Sequence, residues 1–138
     1  MDNIFNDRSR SLKAYEKDIT WLKIERTNVS DFSSLAALVN LERLSLSGNH
    51  LLRDLTPLAK LTKLRELELV GTNVEDLTPL ATLPHLEMLV LDNTPANDLT
   101  PLSRCPALTF VGVSEDIITA AQAETLERAL PACRVQRD

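Results

Sequence analysis

The pentapeptide Asp-Leu-Thr-Pro-Leu occurs three times in this 138-residue chain, at 54–58, 76–80 and 98–102. The copies begin 22 residues apart, and the sequences on either side of them align at the same spacing. A unit of this length cannot enclose a hydrophobic core alone, so neighbouring units must stack and bury their leucines between them. The period therefore predicts a solenoid of stacked coils.

Five units follow this period, and each reads approximately LxxLxLxx(T/N)x(V/L)xDLTPLxxL. They span 19–40, 41–63, 64–85, 86–107 and, in part, 108–116. The alternation in LxL has the period of two that is typical of a strand with one buried face. Thr-Pro-Leu predicts a short helical or 3-10 turn on the returning side, with Thr as its N-cap and Pro in its first turn. The second unit has one extra residue, and we expect His50 and Leu51 to bulge from the turn there.

Because it recurs in phase along the chain, this pattern resembles the leucine-rich repeats of bacterial internalins, the class with short 22-residue units. The resemblance implies a curved α/β solenoid of about five coils, with a parallel β-sheet on its concave face. It also implies a role in protein binding. It covers the repeated units and leaves the two ends of the chain to be explained.

The two ends of a solenoid expose its core and need caps. Residues 1–18 carry apolar residues at helical spacing, which predict an N-terminal helical cap. Residues 117–138 predict a C-terminal cap made of a helix and a short edge strand. Thr119 and Gln122 have the spacing of a capping box, and Pro131 ends the helical run. With both caps inside it, the chain is expected to be a complete small protein.

The chain is acidic, with a net charge of −5 and an isoelectric point of about 5.0. This acidity gives no attraction to nucleic-acid phosphates or anionic membranes, so neither is expected as a partner. No apolar run reaches the ~20 residues that a membrane-spanning helix needs, and the first residues lack the apolar core of a secretory signal. A cytoplasmic protein is the simplest interpretation, although export by a route without a signal peptide fits the same features.

Few residues have the chemistry of a catalytic or metal site. Cys105 stands where other units have leucine, and Cys133 falls in the predicted cap strand, so both thiols are expected to be buried. They form no CxxC motif and no cluster with histidine, so no metal and no cofactor is predicted. His50 and His85 fall on different turns without a nucleophile and an orienting carboxylate. We therefore predict no catalytic residue and expect that the protein is not an enzyme.

An aspartate precedes the convex turn of each of the first four units. The row consists of Asp31, Asp54, Asp76 and Asp98. Such a row suits either a cation site or the capping of turns along a solvated edge. Since every coil repeats the feature, we favour capping.

The residues that alternate with the buried leucines point to the concave face, and there we predict a protein-binding site. It comprises Trp21, Lys23, Glu25, Arg43, Glu66, Glu68, Val70, Met88, Val90, Asp92 and Phe110. An apolar centre beside acidic residues suits a protein partner with a basic surface. Trp21 and Phe110 are aromatics of the kind that dominates interface energies. The alternative is that these two rings only shield the end coils against the caps.

These observations predict a non-enzymatic module, monomeric when free, that grips a protein partner through its concave face. Small size, acidity and the missing export signal favour a bacterial immunity or antitoxin protein that inhibits a toxin. The alternative is an exported bacterial effector or a regulatory adaptor that uses the repeat to recruit a target protein.

Overall fold

The computed structural model describes residues 17–138 and contains one parallel β-sheet of six strands in chain order. The strands are β1 (Trp21–Lys23), β2 (Arg43–Ser45), β3 (Glu66–Glu68), β4 (Met88–Val90), β5 (Phe110–Val113) and β6 (Arg134–Arg137). Each strand pairs in parallel with the next. Since β1 to β5 come from successive units, the predicted solenoid with a parallel sheet is confirmed. The sixth strand is the edge strand expected of the C-terminal cap.

Short 3-10 turns form the returning side of the coils, as the Thr-Pro-Leu triplets predict. They lie at Ser33–Ala37, Thr56–Leu58, Thr78–Leu80 and Thr100–Arg104. The one α-helix of the described residues, α1, spans Ala120–Ala129. The chain therefore alternates three- or four-residue strands with turns that are scarcely longer.

Stacked leucines fill the space between the sheet and the turns. The row that passes beneath the centre of the sheet consists of Leu22, Leu44, Leu67, Leu89 and Val111, which are in register and at most 2% exposed. Cys105 is fully buried among the leucines of the turn side, and Cys133 is 5% exposed, so both predicted burials are confirmed. Burial raises the pKa of each thiol to about 11, which keeps both protonated at neutral pH.

The capping of the 3-10 turns differs from the prediction that threonine serves as N-cap. Thr56 is the first residue of its turn, and its N–H donates to Asp54 Oδ1 at 2.9 Å. Equivalent bonds of 2.9 Å join Ser33 to Asp31, Thr78 to Asp76 and Thr100 to Asp98. The aspartate two residues earlier reaches the free N–H, as in an Asx turn, and the threonine hydroxyl does not cap the turn. The aspartate row is thus explained by capping, the interpretation favoured from the sequence.

These capping bonds lower the pKa of three aspartates, Asp31, Asp76 and Asp98. The hydroxyl and then the backbone N–H of Thr78 lower the pKa of Asp76. Ser33 and Thr100 lower the pKa of Asp31 and of Asp98 in the same way. A carboxylate that accepts two hydrogen bonds is favoured in its charged form.

The Asn or Thr position of the repeat forms a buried polar ladder at the end of the strands. Asn49 Nδ2 donates to the carbonyls of Ile24 at 2.7 Å and Leu46 at 2.6 Å. Thr72 Oγ1 and Thr94 Oγ1 donate to the carbonyls of Leu69 and Leu91, at 2.9 Å and 2.8 Å. The carbonyls of Leu69 and Leu91 also accept from the N–H groups of Thr72 and Thr94. The side-chain bonds offset the cost of burying the amide and hydroxyl groups.

The extra residue of the second unit is accommodated locally. His50 and Leu51 form an exposed turn, with Leu51 49% exposed, while Asn49 and Leu52 on either side stay buried. The predicted bulge is therefore confirmed, and the insertion leaves the register of β2 with β3 intact.

The C-terminal cap closes the end of the solenoid. Thr119 Oγ1 accepts from Gln122 N at 3.2 Å while Gln122 Oε1 accepts from Thr119 N at 2.8 Å, so the predicted capping box is present. Gln122 Nε2 also donates to the Asn97 carbonyl at 2.8 Å and ties α1 to the preceding coil. Glu127 Oε2 accepts from Val135 N at 3.0 Å, which occupies a donor of the edge strand β6. The predicted N-terminal cap, 1–18, lies almost entirely outside the described residues, and the unit boundaries stay predictions.

Candidate protein-binding face

The outward side of the sheet, called here the concave face, gathers the predicted site residues into rows. The first row is Trp21, Arg43, Glu66, Met88, Phe110 and Arg134, and the second is Lys23, Ser45, Glu68, Val90, Gly112 and Gln136. Backbone bonds beyond the strands, from Arg26 N to Ser47 O at 3.0 Å and from Gly71 N to Asp92 O at 3.0 Å, extend the ladder to a third row. That row contains the predicted residues Glu25, Val70 and Asp92.

The charged half of this face comprises Trp21, Lys23, Glu25, Arg43, Ser45, Glu66 and Glu68. Arg43 Nε lies 2.8 Å from Glu66 Oε2, and Lys23 Nζ lies 3.5 Å from Glu25 Oε1. The Ser45 hydroxyl also donates to Glu25. Most charges of this half are therefore paired with each other.

A shallow hollow of about 200 Å³ lies over the charged half. Its lining includes Trp21, Lys23, Arg43, Ser45, Glu66 and Glu68. Glu68 borders it without an ion pair to any of the described residues. The hollow is polar, with one large aromatic ring at its rim.

The apolar half of the face comprises Val70, Met88, Val90, Asp92, Phe110 and Gly112. A Cβ atom placed on Gly112 would lie 3.4 Å from Phe110 Cε2, 3.5 Å from Val90 Cγ1 and 3.5 Å from Asp92 Oδ1. The absence of a side chain at Gly112 thus lets an aromatic edge, a methyl group and a carboxylate converge on one point.

Asp92 carries the unusual charge of the apolar half. Its Oδ1 is buried, and it has no hydrogen-bond partner. Burial, together with the nearby negative charge of Asp138, raises the pKa of Asp92. A carboxylate that is partly desolvated and receives no hydrogen bond in place of the lost water is less stable in its charged form.

The two aromatic residues of the predicted site have different environments. Trp21 is 53% exposed, whereas Phe110 is half-buried over Gly112. The structure thus brings both rings to the same row, on the first and the fifth of its six strands. Their predicted part in binding stays a prediction.

Two features of this region escaped the sequence interpretation. Strand β6 adds Arg134 and Gln136 to the first and second rows, a continuation that the alternation of Cys133 and Val135 could have indicated. Beside the sheet, Arg65 lies between Glu87 at 2.7 Å and Glu42 at 3.8 Å. The hydrogen bond from Arg65 lowers the pKa of Glu87. In the sequence, such an ion pair is indicated only by two opposite charges that lie one repeat unit apart.

The described residues contain neither a metal-binding cluster nor a membrane-spanning helix. Among residues 17–138, no group of three or more histidine, cysteine and acidic side chains is placed to hold a metal ion. No helix in that range is long and apolar enough to cross a membrane. His50 and His85 are both exposed and lie on separate turns.

The family comparison agrees with the repeat pattern and with the sheet. Residues 62–115 match the family model described as leucine-rich repeats in two copies. The chain therefore contains leucine-rich repeats. Its fold is that of a protein-binding module, and a search of curated proteins finds no significant match.

Solved structures extend the likeness over most of the leucine-rich repeat chain. Internalin C2 of Listeria monocytogenes is 28% identical, with a TM-score of 0.76 over 91% of this chain. A leucine-rich repeat protein of Leptospira interrogans is 20% identical with a TM-score of 0.77 over 90% of this chain, and another Listeria internalin is 20% identical with a TM-score of 0.51 over 90%.

These structures are all longer than the present chain. It covers 54% of internalin C2, 33% of the Leptospira protein and 48% of the other internalin. Because the Leptospira protein and the second internalin are only 20% identical to this chain, their likeness concerns the fold alone.

Proposed function

We propose that this leucine-rich repeat protein is a non-enzymatic module that binds a protein partner through its concave face. The observation that carries the proposal is the composition of the apolar half, where Met88, Val90 and Phe110 stand at outward positions of a repeat. An unused, solvated face would carry charged and small polar residues at such positions. Apolar and aromatic side chains flanked by charges are the usual composition of an interface centre with its rim.

The partner is expected to present a basic surface. Glu25 and Glu66 are offset by Lys23 and Arg43, as the two ion pairs show. Glu68 and Asp92 have no ion pair with any residue in 17–138. Against these two carboxylates stands Arg134 of the first row, so the charge that remains on the face is still net acidic, which favours a cationic partner and disfavours nucleic acid.

A finer form of the proposal is a bacterial immunity or antitoxin protein, cytoplasmic and monomeric when free, that blocks a toxin. It is supported by the net charge of −5, which suits a basic target. The alternative, an exported effector or regulatory adaptor, uses the same face on a different target. Identification of the captured partner by mass spectrometry separates the two, because a toxin supports the first and a host or regulatory protein supports the second.

The concave face can be tested with a double variant, Met88→Ala with Glu66→Lys. It truncates an apolar contact and reverses a charge, so capture of the partner from a native-cell extract should fall at least about tenfold. Val39→Ala with Glu75→Lys makes the same kinds of change at exposed positions outside the face, and should capture the partner as well as wild type does. Equal loss in both variants, or loss in neither, would refute binding through the concave face.

A further inference from the structure

Backbone geometry does not explain why a glycine occupies position 112. Gly112 is not among the glycines with positive φ, so its conformation is open to any residue. Other strands carry Lys23, Ser45 and Glu68 at the same position of the second row. What glycine provides here is therefore space, in the form of a notch bordered by Phe110, Val90 and Asp92.

The Asp92 carboxylate that borders the notch has an oxygen, Oδ1, that accepts no hydrogen bond. No cation of the described residues pairs with Asp92. Arg137, on the neighbouring strand β6, instead donates to the carbonyl of Ile118 at 2.7 Å and to that of Glu115 at 3.2 Å. The amide of Gln136 donates to Asp138 at 3.1 Å. These two side chains are thus committed elsewhere, and no ion pair neutralises Asp92 within the described residues.

We propose, on the basis of the protein-binding function above, that the notch receives an arginine side chain of the partner, with its guanidinium on Asp92 and its flat face beside Phe110. Oδ1 is covered, but Asp92 as a residue is only half-buried, so the carboxylate stays reachable from the concave side. Guanidinium forms charge-assisted hydrogen bonds with a carboxylate, and it packs on aromatic and apolar surface at a low desolvation cost. A lysine ammonium is a more strongly hydrated point charge, which fits a notch with two apolar walls less well.

The experiment uses three capped tripeptides, Ala-Arg-Ala, Ala-Lys-Ala and Ala-citrulline-Ala, titrated into the ¹⁵N-labelled full chain. Citrulline has nearly the shape of arginine without its charge. We expect the arginine peptide to shift the amide signals of Phe110, Gly112 and Asp92, and to bind at least about tenfold more tightly than the citrulline peptide and about threefold more tightly than the lysine peptide.

Three variants test which features of the notch determine the affinity for the arginine peptide. Asp92→Asn keeps the shape and removes the charge, and should weaken the arginine peptide at least about tenfold. Gly112→Ala fills the notch with a methyl group whose contacts of 3.4–3.5 Å the fold can accept, and should weaken it as well. Glu75→Gln removes an exposed carboxylate outside the face and should change the affinity less than about twofold. Thermal melts followed by circular dichroism verify that each variant is folded.

The inference and the proposed function fail separately. Equal binding of the arginine and citrulline peptides, equal binding of the arginine and lysine peptides, or unchanged affinity of Asp92→Asn overturns the arginine notch even if the concave face captures a cellular protein. If the arginine peptide binds at Gly112 as expected and the concave-face double variant still captures its partner, the notch stands and the proposed function falls.

Discussion

On the concave face, strands β1 to β3 carry charges that pair mostly with each other, whereas β4 and β5 place Met88, Val90 and Phe110 around one unpaired carboxylate. The buried row beneath both halves keeps one register, with leucine beneath β1 to β4 and Val111 beneath β5. The main difference therefore resides in the outward side chains. It teaches that one half satisfies its own electrostatics while the other leaves an acceptor and apolar surface for something else to cover.

The largest expected effect tests whether the scaffold beneath the two halves is really equivalent. Leu67→Ala removes a buried side chain beneath the charged half, and Leu89→Ala removes one beneath the apolar half; both leucines are fully buried. Each should lower the free energy of unfolding by about 2–5 kcal/mol, because the coils cannot collapse into the cavity. Urea denaturation measures both. Costs that differ by more than about 1.5 kcal/mol would show that the two halves rest on unequal scaffolds.

An intermediate effect is expected at the turns that follow the strands. Gly48 and Gly71, after β2 and β3, have φ of 79° and 71°, whereas Asn93, after β4, has a φ of 58°. Gly71→Ala should cost about 1–2 kcal/mol of stability because a Cβ is disfavoured in the left-handed region. Gly48→Ala should cost more, since its Cβ would also lie 2.7 Å from Arg26 Cγ.

The control for these turns is Asn93→Ala, at the corresponding position of the apolar half. A Cβ is already present there, so only the local hydrogen bonding of the asparagine is lost and the cost should stay below that of Gly71→Ala. Thermal unfolding ranks the three variants. A cost for Asn93→Ala equal to that for Gly48→Ala would mean that the left-handed turn does not set the order.

Much of the scaffold could be predicted from the sequence because the repeat constrains each position several times over. Burial of Cys105 followed from the leucines at equivalent positions, and the turn at His50 followed from a single added residue. The threonine caps were predicted wrongly. Two polar residues that are two positions apart, Asp54 and Thr56, are both good capping residues, and only the direction of the free N–H decides between them.

The face was predictable as a set of rows but not as a set of environments. Alternation with the leucines placed Asp92 and Phe110 outward, as the register shows. It could not reveal that the Asp92 carboxylate lies near Gly112 without a donor, because that depends on how side chains from two neighbouring strands pack. Repeats fix the backbone position of a residue, whereas its electrostatic environment depends on neighbours that do not repeat.

The smallest predicted effects are two changes in stability of opposite sign, each caused by the removal of one charge. Glu66→Gln, in the charged half, breaks the pair with Arg43 and should lower stability by about 0.2–1 kcal/mol, the range for exposed pairs. Asp92→Asn, in the apolar half, should raise stability by less than about 1 kcal/mol, because the charge it removes is partly desolvated and unpaired while most of the side chain is still hydrated.

The pH dependence identifies the origin of the Asp92 effect. Since the folded-state pKa of Asp92 is raised above its ordinary value of 3.8, the charged carboxylate destabilises the fold at pH values above that raised pKa. Below pH 3.8 the carboxyl is protonated in both folded and unfolded chains, and the penalty disappears. The gain in stability from Asp92→Asn should therefore be full at pH 7. It should vanish as the pH falls from the raised pKa of Asp92 to below 3.8. An advantage that persists at pH 3 would assign the effect to shape instead of charge, and a loss of stability at pH 7 would remove the contrast between the two halves.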